Sequence, residues 1–198
     1  MKENENNTLL CDAASRGHTD EVARLVQLCD ARWRDNAALR AAAKNGHTRC
    51  VELLIPHSSA QDNESWALRS AASYGHYECV KLLMGVSHPD DFPMILGAAA
   101  QAGCRKSVAL VLQHVSNVES ITEALETAVI HKHYDCVDIL YPRADVGAAL
   151  DRLLNDFYSA RYEHCWRPVR DRYNAEQQNT VLREAVRDAR PSSRTAKI

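Results

Sequence analysis

Apolar positions along the chain recur as pairs of short helical stretches at a fixed interval. Within residues 8–145, an alanine- and leucine-rich stretch is followed by a turn position and then by a second stretch with apolar residues at helical spacing. The five turn positions are occupied by Gly17, Gly46, Gly75, Gly103 and Lys132. They lie 29, 29, 28 and 29 residues apart. Such a period indicates helix-turn-helix units that bury their apolar sides by stacking, so the pattern predicts an all-α solenoid of five repeats.

Each repeat carries local signals for its two helices. Small residues fill the first helix, where neighbouring helices would approach closely, and the glycine that follows can take the positive φ that ends a helix. In the third repeat, Val80, Leu82 and Leu83 are the apolar residues of the second helix. Pro56 and Pro142 come directly after the second helices of repeats two and five, which predicts that those helices end there.

The repeat consensus resembles ankyrin repeats. The segments ALRAAAKNGHTRCVELLI and ALRSAASYGHYECVKLLM share the pattern A-L-x-x-A-A-x-x-G-H-x-x-x-V-x-L-L, which extends with erosion from roughly Thr8 to Ala144. Two features depart from the family. Ala-Leu-Arg replaces the T-P-L-H opening, and the period of about 29 residues is shorter than the usual 33 or so. The resemblance implies structural histidines after the turn, and the short period predicts that the β-hairpin finger between repeats is reduced to a loop.

The repeat pattern also suggests how the chain is divided. We expect a disordered N-terminus at residues 1–7, five ankyrin-like repeats at 8–145, a degenerate half-repeat with C-terminal capping helices at 146–190, and a disordered tail at 191–198. Leu153 and Leu154 stand where repeats carry alanine pairs, and Val181 and Leu182 lie at helical spacing in a final amphipathic segment. The predicted fold is therefore an α-solenoid with a C-terminal helical cap.

Composition narrows the functional classes. The formal net charge of −2 gives no global attraction to nucleic acid or to an anionic membrane, and no apolar run approaches the roughly 20 residues of a membrane-spanning helix. Seven cysteines lie within helical patterns rather than at disulfide-framework spacing, which favours a reducing compartment: the cytoplasm of its own cell or of a host cell. We expect a monomer that binds another protein, with no nucleic-acid or membrane partner.

The sequence contains no recognisable catalytic motif. A Gly-rich phosphate loop, an H-E-x-x-H helix, a G-x-S-x-G elbow and the protein-kinase motifs are all missing from it, so no catalytic residue, metal ligand or cofactor is predicted. Cys50, Cys79 and Cys136 share one repeat position and are expected in the core. The pair His164 and Cys165, followed by a tryptophan, leaves an alternative: an enzymatic or toxin-like activity in the C-terminal segment, with the repeats as a targeting module.

The resemblance to ankyrin repeats places the partner-binding face on the first helices. Stacking sets the first helices along a concave wall, and in this chain the two residues before each turn position vary between repeats while the framework is retained. The resemblance implies that these positions line the binding groove. The predicted partner-binding residues are Arg16, Lys44, Asn45, Trp66, Ser73, Tyr74, Gln101 and His131. A second set lies in the inter-repeat loops: Trp33, Asp62, Asn63, Glu64, Asp90, Asp91 and Phe92. Phe92 either packs on the preceding loop or is exposed to a partner.

Overall fold

The computed structural model describes residues 2–58, 65–155 and 159–188. These residues form twelve α-helices and three short 3-10 helices and contain no β-strand, which confirms the predicted all-α repeat architecture. The chain divides into two compact units, residues 1–145 and residues 146–198. No helix in the described ranges has the length and apolar character needed to cross a membrane.

The first unit consists of five helix pairs. The first helices of the repeats are α1 (Lys2–Arg16), α3 (Trp33–Lys44), α5 (Trp66–Ser73), α7 (Phe92–Gln101) and α9 (Val118–Ile130). The second helices are α2 (Thr19–Leu25), α4 (Thr48–Leu54), α6 (Tyr77–Met84), α8 (Arg105–Leu112) and α10 (Tyr134–Leu140). The 3-10 helices span Ile55–His57, Pro89–Asp91 and Tyr141–Arg143, so the two prolines after α4 and α10 lie just beyond the helices that they were expected to end.

The helices form two layers. Each first helix packs against the first helix of the next repeat, and the second helices form a parallel row with the same order. One leucine per repeat occupies the same buried position between these layers: Leu10, Leu39, Leu68, Leu96 and Leu125. The alanine pairs that follow are almost fully buried, for example Ala71 and Ala72. Because alanine has a small side chain, neighbouring first helices can approach closely at these positions.

The turn inside each repeat requires a left-handed residue. Gly17, Gly46 and Gly75 have φ values of +75°, and Gly103 has +69°. Lys132 takes the same conformation at φ +61°, at the cost in backbone energy that a non-glycine residue pays there. Five equivalent turns therefore keep one geometry although the residue type changes in the last repeat.

The N-terminus differs from the sequence-based expectation. Residues 2–7, predicted to be disordered, belong to helix α1, which begins at Lys2. Asn7 is buried, and its side-chain Oδ1 accepts a hydrogen bond of 3.1 Å from the backbone N–H of Asp30. The prediction of disorder was based on the polar residues of this segment. In the structure, the polar side chain of Asn7 is bonded to the next inter-repeat loop, and the helix includes it.

The second unit contains α11 (Val146–Asn155) and α12 (Ser159–Asp188), which contact each other. Helix α12 continues through Pro168, and Val181 and Leu182 on it are exposed, in contrast to the expected amphipathic helix with a buried side. The role of residues 146–190 as a cap stays a prediction. The predicted disordered tail at 191–198 lies outside the described residues.

Candidate protein-interaction surface

Two exposed aromatic side chains mark the first-helix layer at the third repeat. Trp66 begins α5 and Tyr74 follows its last residue, and their side chains keep 43% and 57% of their surface exposed to solvent. Large aromatic rings left open on a helical repeat are candidates for binding, because they bury much apolar area when a partner covers them.

Cationic side chains from the preceding repeat hold both rings. The Arg40 guanidinium carbon lies 4.9 Å from the centroid of the Trp66 ring, and the Lys44 Nζ lies 5.2 Å from that of Tyr74. Both distances fall within the range of cation–π attraction. Since Arg40 and Lys44 belong to α3 and the rings to the α5 region, these contacts also link repeats two and three.

A small cleft opens between these side chains, with a volume of about 170 Å³. Its lining residues are Arg40, Trp66, Arg69, Ser70, Ser73 and Tyr74. We call this feature the Arg–aromatic cleft. Arg40 and Arg69 hold the same position in consecutive repeats, where repeat four has Gly97. A Cβ added at Gly97 would meet no atom within 4 Å, so the surface next to Arg69 is open on that side.

The structure gathers only some of the predicted partner-binding residues around this cleft. Trp66, Ser73 and Tyr74 line it, and Lys44 lies against the Tyr74 ring. Arg40 and Arg69 were not among the predicted residues. The signal that could have found them is their shared position in the segment that replaces the T-P-L-H opening.

The other four predicted residues lie at the turns of different repeats and already have intramolecular partners. Arg16 forms an exposed ion pair of 3.1 Å with the Asp12 carboxylate. The Asn45 Nδ2 donates to the carbonyl oxygen and the hydroxyl of Ser15, at 3.0 and 3.1 Å. The Gln101 carbonyl oxygen accepts a hydrogen bond from His133. The His131 Nδ1 lies 2.9 Å from the Thr127 carbonyl oxygen. Arg16, Asn45 and His131 thus use side-chain atoms in these contacts, whereas Gln101 contributes only its backbone carbonyl.

The predicted loop residues also differ in whether they are exposed or already have an intramolecular partner. Phe92 is buried at the start of α7 and meets the His114 ring edge to face, with 5.7 Å between centroids, so it packs rather than being presented to a partner. The Asp91 carboxylate accepts a 2.6 Å hydrogen bond from the Ser65 hydroxyl. Trp33 is half-buried beneath the guanidinium of Arg34, and Asp90 is exposed. The predicted loop residues Asp62, Asn63 and Glu64 lie outside the described part of the chain.

The histidines after the turn join consecutive repeats, as the resemblance implied. The Nε2 of His47 donates to the Ser15 carbonyl oxygen at 2.9 Å, and the Nε2 of His76 donates to that of Lys44 at 2.9 Å. His133 donates in the same way to Gln101 at 3.1 Å. Each histidine therefore satisfies a carbonyl at the end of the first helix in the repeat before it.

The junction between repeats three and four lacks this bond. Cys104 occupies the histidine position, with φ −82° and ψ 88°, close to the −85° and 78° of His76. Its thiol accepts a hydrogen bond from the Ser107 hydroxyl instead, at 3.1 Å. No side chain in the described residues donates to the Ser73 carbonyl oxygen, and Ser73 lines the Arg–aromatic cleft. The missing histidine thus coincides with the candidate site.

The repeated cysteines have a packing role. Cys50, Cys79 and Cys136 are buried, and burial raises the pKa of each thiol, that of Cys136 to about 11. Loss of hydration disfavours the charged thiolate, so these side chains stay neutral core groups. No group of three or more potential metal-ligating side chains occurs in the ranges that the structure covers.

The repeated helix pairs define a helical repeat protein. Residues 10–92 match the family model of ankyrin repeats, in three copies. The crystal structure of the human ASB11 ankyrin repeat domain is similar to the chain, with a TM-score of 0.61 and 21% identity over 69% of this chain and 70% of that one. No curated protein matches the sequence. Residues 10–92 are therefore similar to ankyrin repeats, and ankyrin repeats are protein–protein interaction modules.

Proposed function

We propose that this protein is a non-enzymatic binder of another protein, acting as an adaptor, an inhibitor or a host-directed effector, and that it contacts its partner through the first-helix surface centred on Trp66 and Tyr74. The observation that carries this proposal is the pair of exposed rings held from the neighbouring repeat by Arg40 and Lys44. Tryptophan, tyrosine and arginine are the residues that most often dominate binding energy at interfaces.

The arrangement limits the entropy that is lost on binding. Each ring packs against a cation from a different helix, so the aromatic side chains are partly ordered before a partner arrives. Ordering a free side chain at an interface costs about 0.5–1.5 kcal/mol, and preorganisation reduces that cost. The positions that match Tyr74 in the other repeats carry Arg16, Asn45, Ala102 and His131. The exposed aromatic at this position is therefore particular to the third repeat.

Affinity capture with the full chain tests the proposal. The wild type is compared with a double variant, Trp66→Ala with Tyr74→Ala, in cells that express the protein. Tyr134→Ala serves as the matched control, because Tyr134 is an exposed aromatic on the second-helix layer. We expect the double variant to lose partners that the control retains, with unchanged helical circular dichroism in all three proteins. An identical set of partners for the double variant and the wild type would refute the assignment of this surface.

A C-terminal activity is the other candidate function. The Cys165 Sγ lies 3.3 Å from the His164 Nε2, a pairing that some nucleophilic enzymes use. Cys165, however, is 2% exposed, so a substrate has little access to its sulfur. We therefore favour partner binding over an activity at this pair.

A further inference from the structure

The Arg–aromatic cleft carries an unbalanced positive charge. Among the described residues that line it, Arg40 and Arg69 are cationic and none is acidic. Lys44 adds a third positive charge beside the Tyr74 ring. The whole chain is slightly acidic, with a net charge of −2, so this concentration of cations is local and does not follow from composition.

The two arginines of the cleft differ in their pairing from three arginines of the first two repeats. Arg16 and Arg24 in the first repeat and Arg49 in the second each contact a carboxylate of their own helix. Within the described ranges, neither Arg40 nor Arg69 has a carboxylate at ion-pair distance; the contact of Arg40 is the Trp66 ring. Both arginines line the cleft, so an acceptor that enters it would meet their guanidinium groups.

The cleft also offers room and a second kind of contact. Gly97 leaves the surface beyond Arg69 open, and Ser70 and Ser73 line the cleft together with the two aromatic residues. A partner residue that enters would meet both hydrogen-bond donors and aromatic side chains. This combination suits an acidic side chain with an apolar neighbour.

We propose that the Arg–aromatic cleft binds an acidic segment of the partner protein, in which an aspartate or glutamate pairs with Arg40 and Arg69 and an adjacent apolar side chain covers Trp66 or Tyr74. A guanidinium group presents a planar set of donors that matches a carboxylate with two parallel hydrogen bonds. The inference rests on the proposed function, since it specifies what the same surface recognises.

A nucleic-acid backbone is a poorer match to the same charges. Polyanion binding depends on many cations that follow the phosphates over some distance. The row of cations stops on both sides of the cleft, because the positions that match Arg40 and Arg69 are Cys11 in repeat one, Gly97 in repeat four and Glu126 in repeat five. A single acidic segment needs only the two arginines that the cleft supplies.

Selection of a phage-displayed library of random twelve-residue peptides on the full-length protein tests this proposal. We expect enriched peptides to share an aspartate or glutamate next to a leucine, phenylalanine or tryptophan. Synthetic fluorescein-labelled copies are then measured by fluorescence anisotropy, alongside copies in which the acidic residue is changed to its amide. The amide copies should bind at least about tenfold more weakly, and binding of the acidic copies should weaken as salt rises.

Charge reversal identifies the binding residues. Arg69→Glu should reduce the affinity for the acidic peptides by about tenfold or more, whereas Lys81→Glu should leave it unchanged. Lys81 is a matched control, because it is exposed, lies on α6 of the same repeat and gives the same change in net charge. Circular dichroism and urea unfolding of both variants show whether each one is folded.

The outcomes separate this inference from the proposed function. Enriched peptides that need Trp66 and Tyr74 but have no acidic residue would overturn the inference and leave the function standing. Peptides that bind equally well to the Trp66→Ala, Tyr74→Ala variant would contradict both. Tighter binding of a fluorescein-labelled single-stranded oligonucleotide than of the selected peptides, lost in Arg69→Glu, would assign the cleft to nucleic acid and overturn the inference.

Discussion

The substitution Gly46→Ala tests the close contact between the turn glycine of one repeat and the turn histidine of the next. Gly46 has φ +75°, and a Cβ added there would lie 2.6 Å from the Nδ1 of the His76 ring. Gly75 has the same φ, but its added Cβ would only touch the Cβ of Cys104 at 3.9 Å. The two glycines therefore share the backbone requirement and differ in the side chain that covers them.

The expected magnitudes follow from that difference. Holding alanine in the left-handed region costs about 1–2 kcal/mol, which applies to both Gly46→Ala and Gly75→Ala. In Gly46→Ala the His76 ring must also move, which sacrifices its hydrogen bond to the Lys44 carbonyl, a contact of about 0.5–1.5 kcal/mol, and disturbs the packing around it. We expect a loss of about 2–4 kcal/mol for Gly46→Ala and about 1–2 kcal/mol for Gly75→Ala.

Urea unfolding of the full-length protein, followed by circular dichroism, gives the free energy of unfolding for each variant. A double-mutant cycle with His76→Ala then isolates the steric contribution, because in the absence of the ring only the backbone cost of Gly46→Ala remains. The cycle should show a coupling of about 1–2 kcal/mol. Equal losses for the two glycine variants, together with additivity in the cycle, would refute the close contact between turn glycine and histidine.

Three further predictions concern the junctions and the core. Cys104→His should add about 0.5–1.5 kcal/mol to the free energy of unfolding in urea. The backbone of residue 104 already matches that of the turn histidines, and the Ser73 carbonyl oxygen is open to a donor. No gain over the Cys104→Ala variant would contradict this. Arg143→Lys should lower the free energy of unfolding by about 1–2 kcal/mol in the same assay. The Arg143 guanidinium donates to the carbonyl oxygens of Leu112 and Val115 at 2.6 and 2.7 Å, and an ammonium group cannot span both. An unchanged urea midpoint would exclude that role. Since the pKa of Cys136 rises from 9.0 to about 11 on folding, its thiol favours the folded state below pH 9, and this contribution is lost as the pH rises towards 11. Iodoacetamide at pH 9 should therefore label it only in urea, as peptide mass spectrometry can show, and labelling in the native protein would contradict its burial.

The repeat architecture was readable from the sequence because it is encoded locally and five times over. The turn glycines, the alanine pairs and the leucine before them each meet a structural requirement of a single repeat, and this pattern recurs along the stack. Even Lys132 could be placed in register by its neighbours, and its φ of +61° follows from the same turn. The sequence analysis placed the start of helix α1 too late. The hydrogen bond between Asn7 and the next loop joins residues 23 positions apart, so the local pattern does not reveal it.

The candidate site depended on tertiary structure to a greater degree. The sequence indicated the first-helix layer and included Trp66 and Tyr74 among its candidates, but it treated the variable positions of all five repeats as equal. Only the packing of α3 against α5 brings Arg40 under the Trp66 ring and Lys44 under that of Tyr74. The packing of α1 against α3 likewise commits Asn45 to a hydrogen bond with Ser15. Periodicity determines which residues face a common surface, whereas the contacts between repeats decide which of them remain open to a partner.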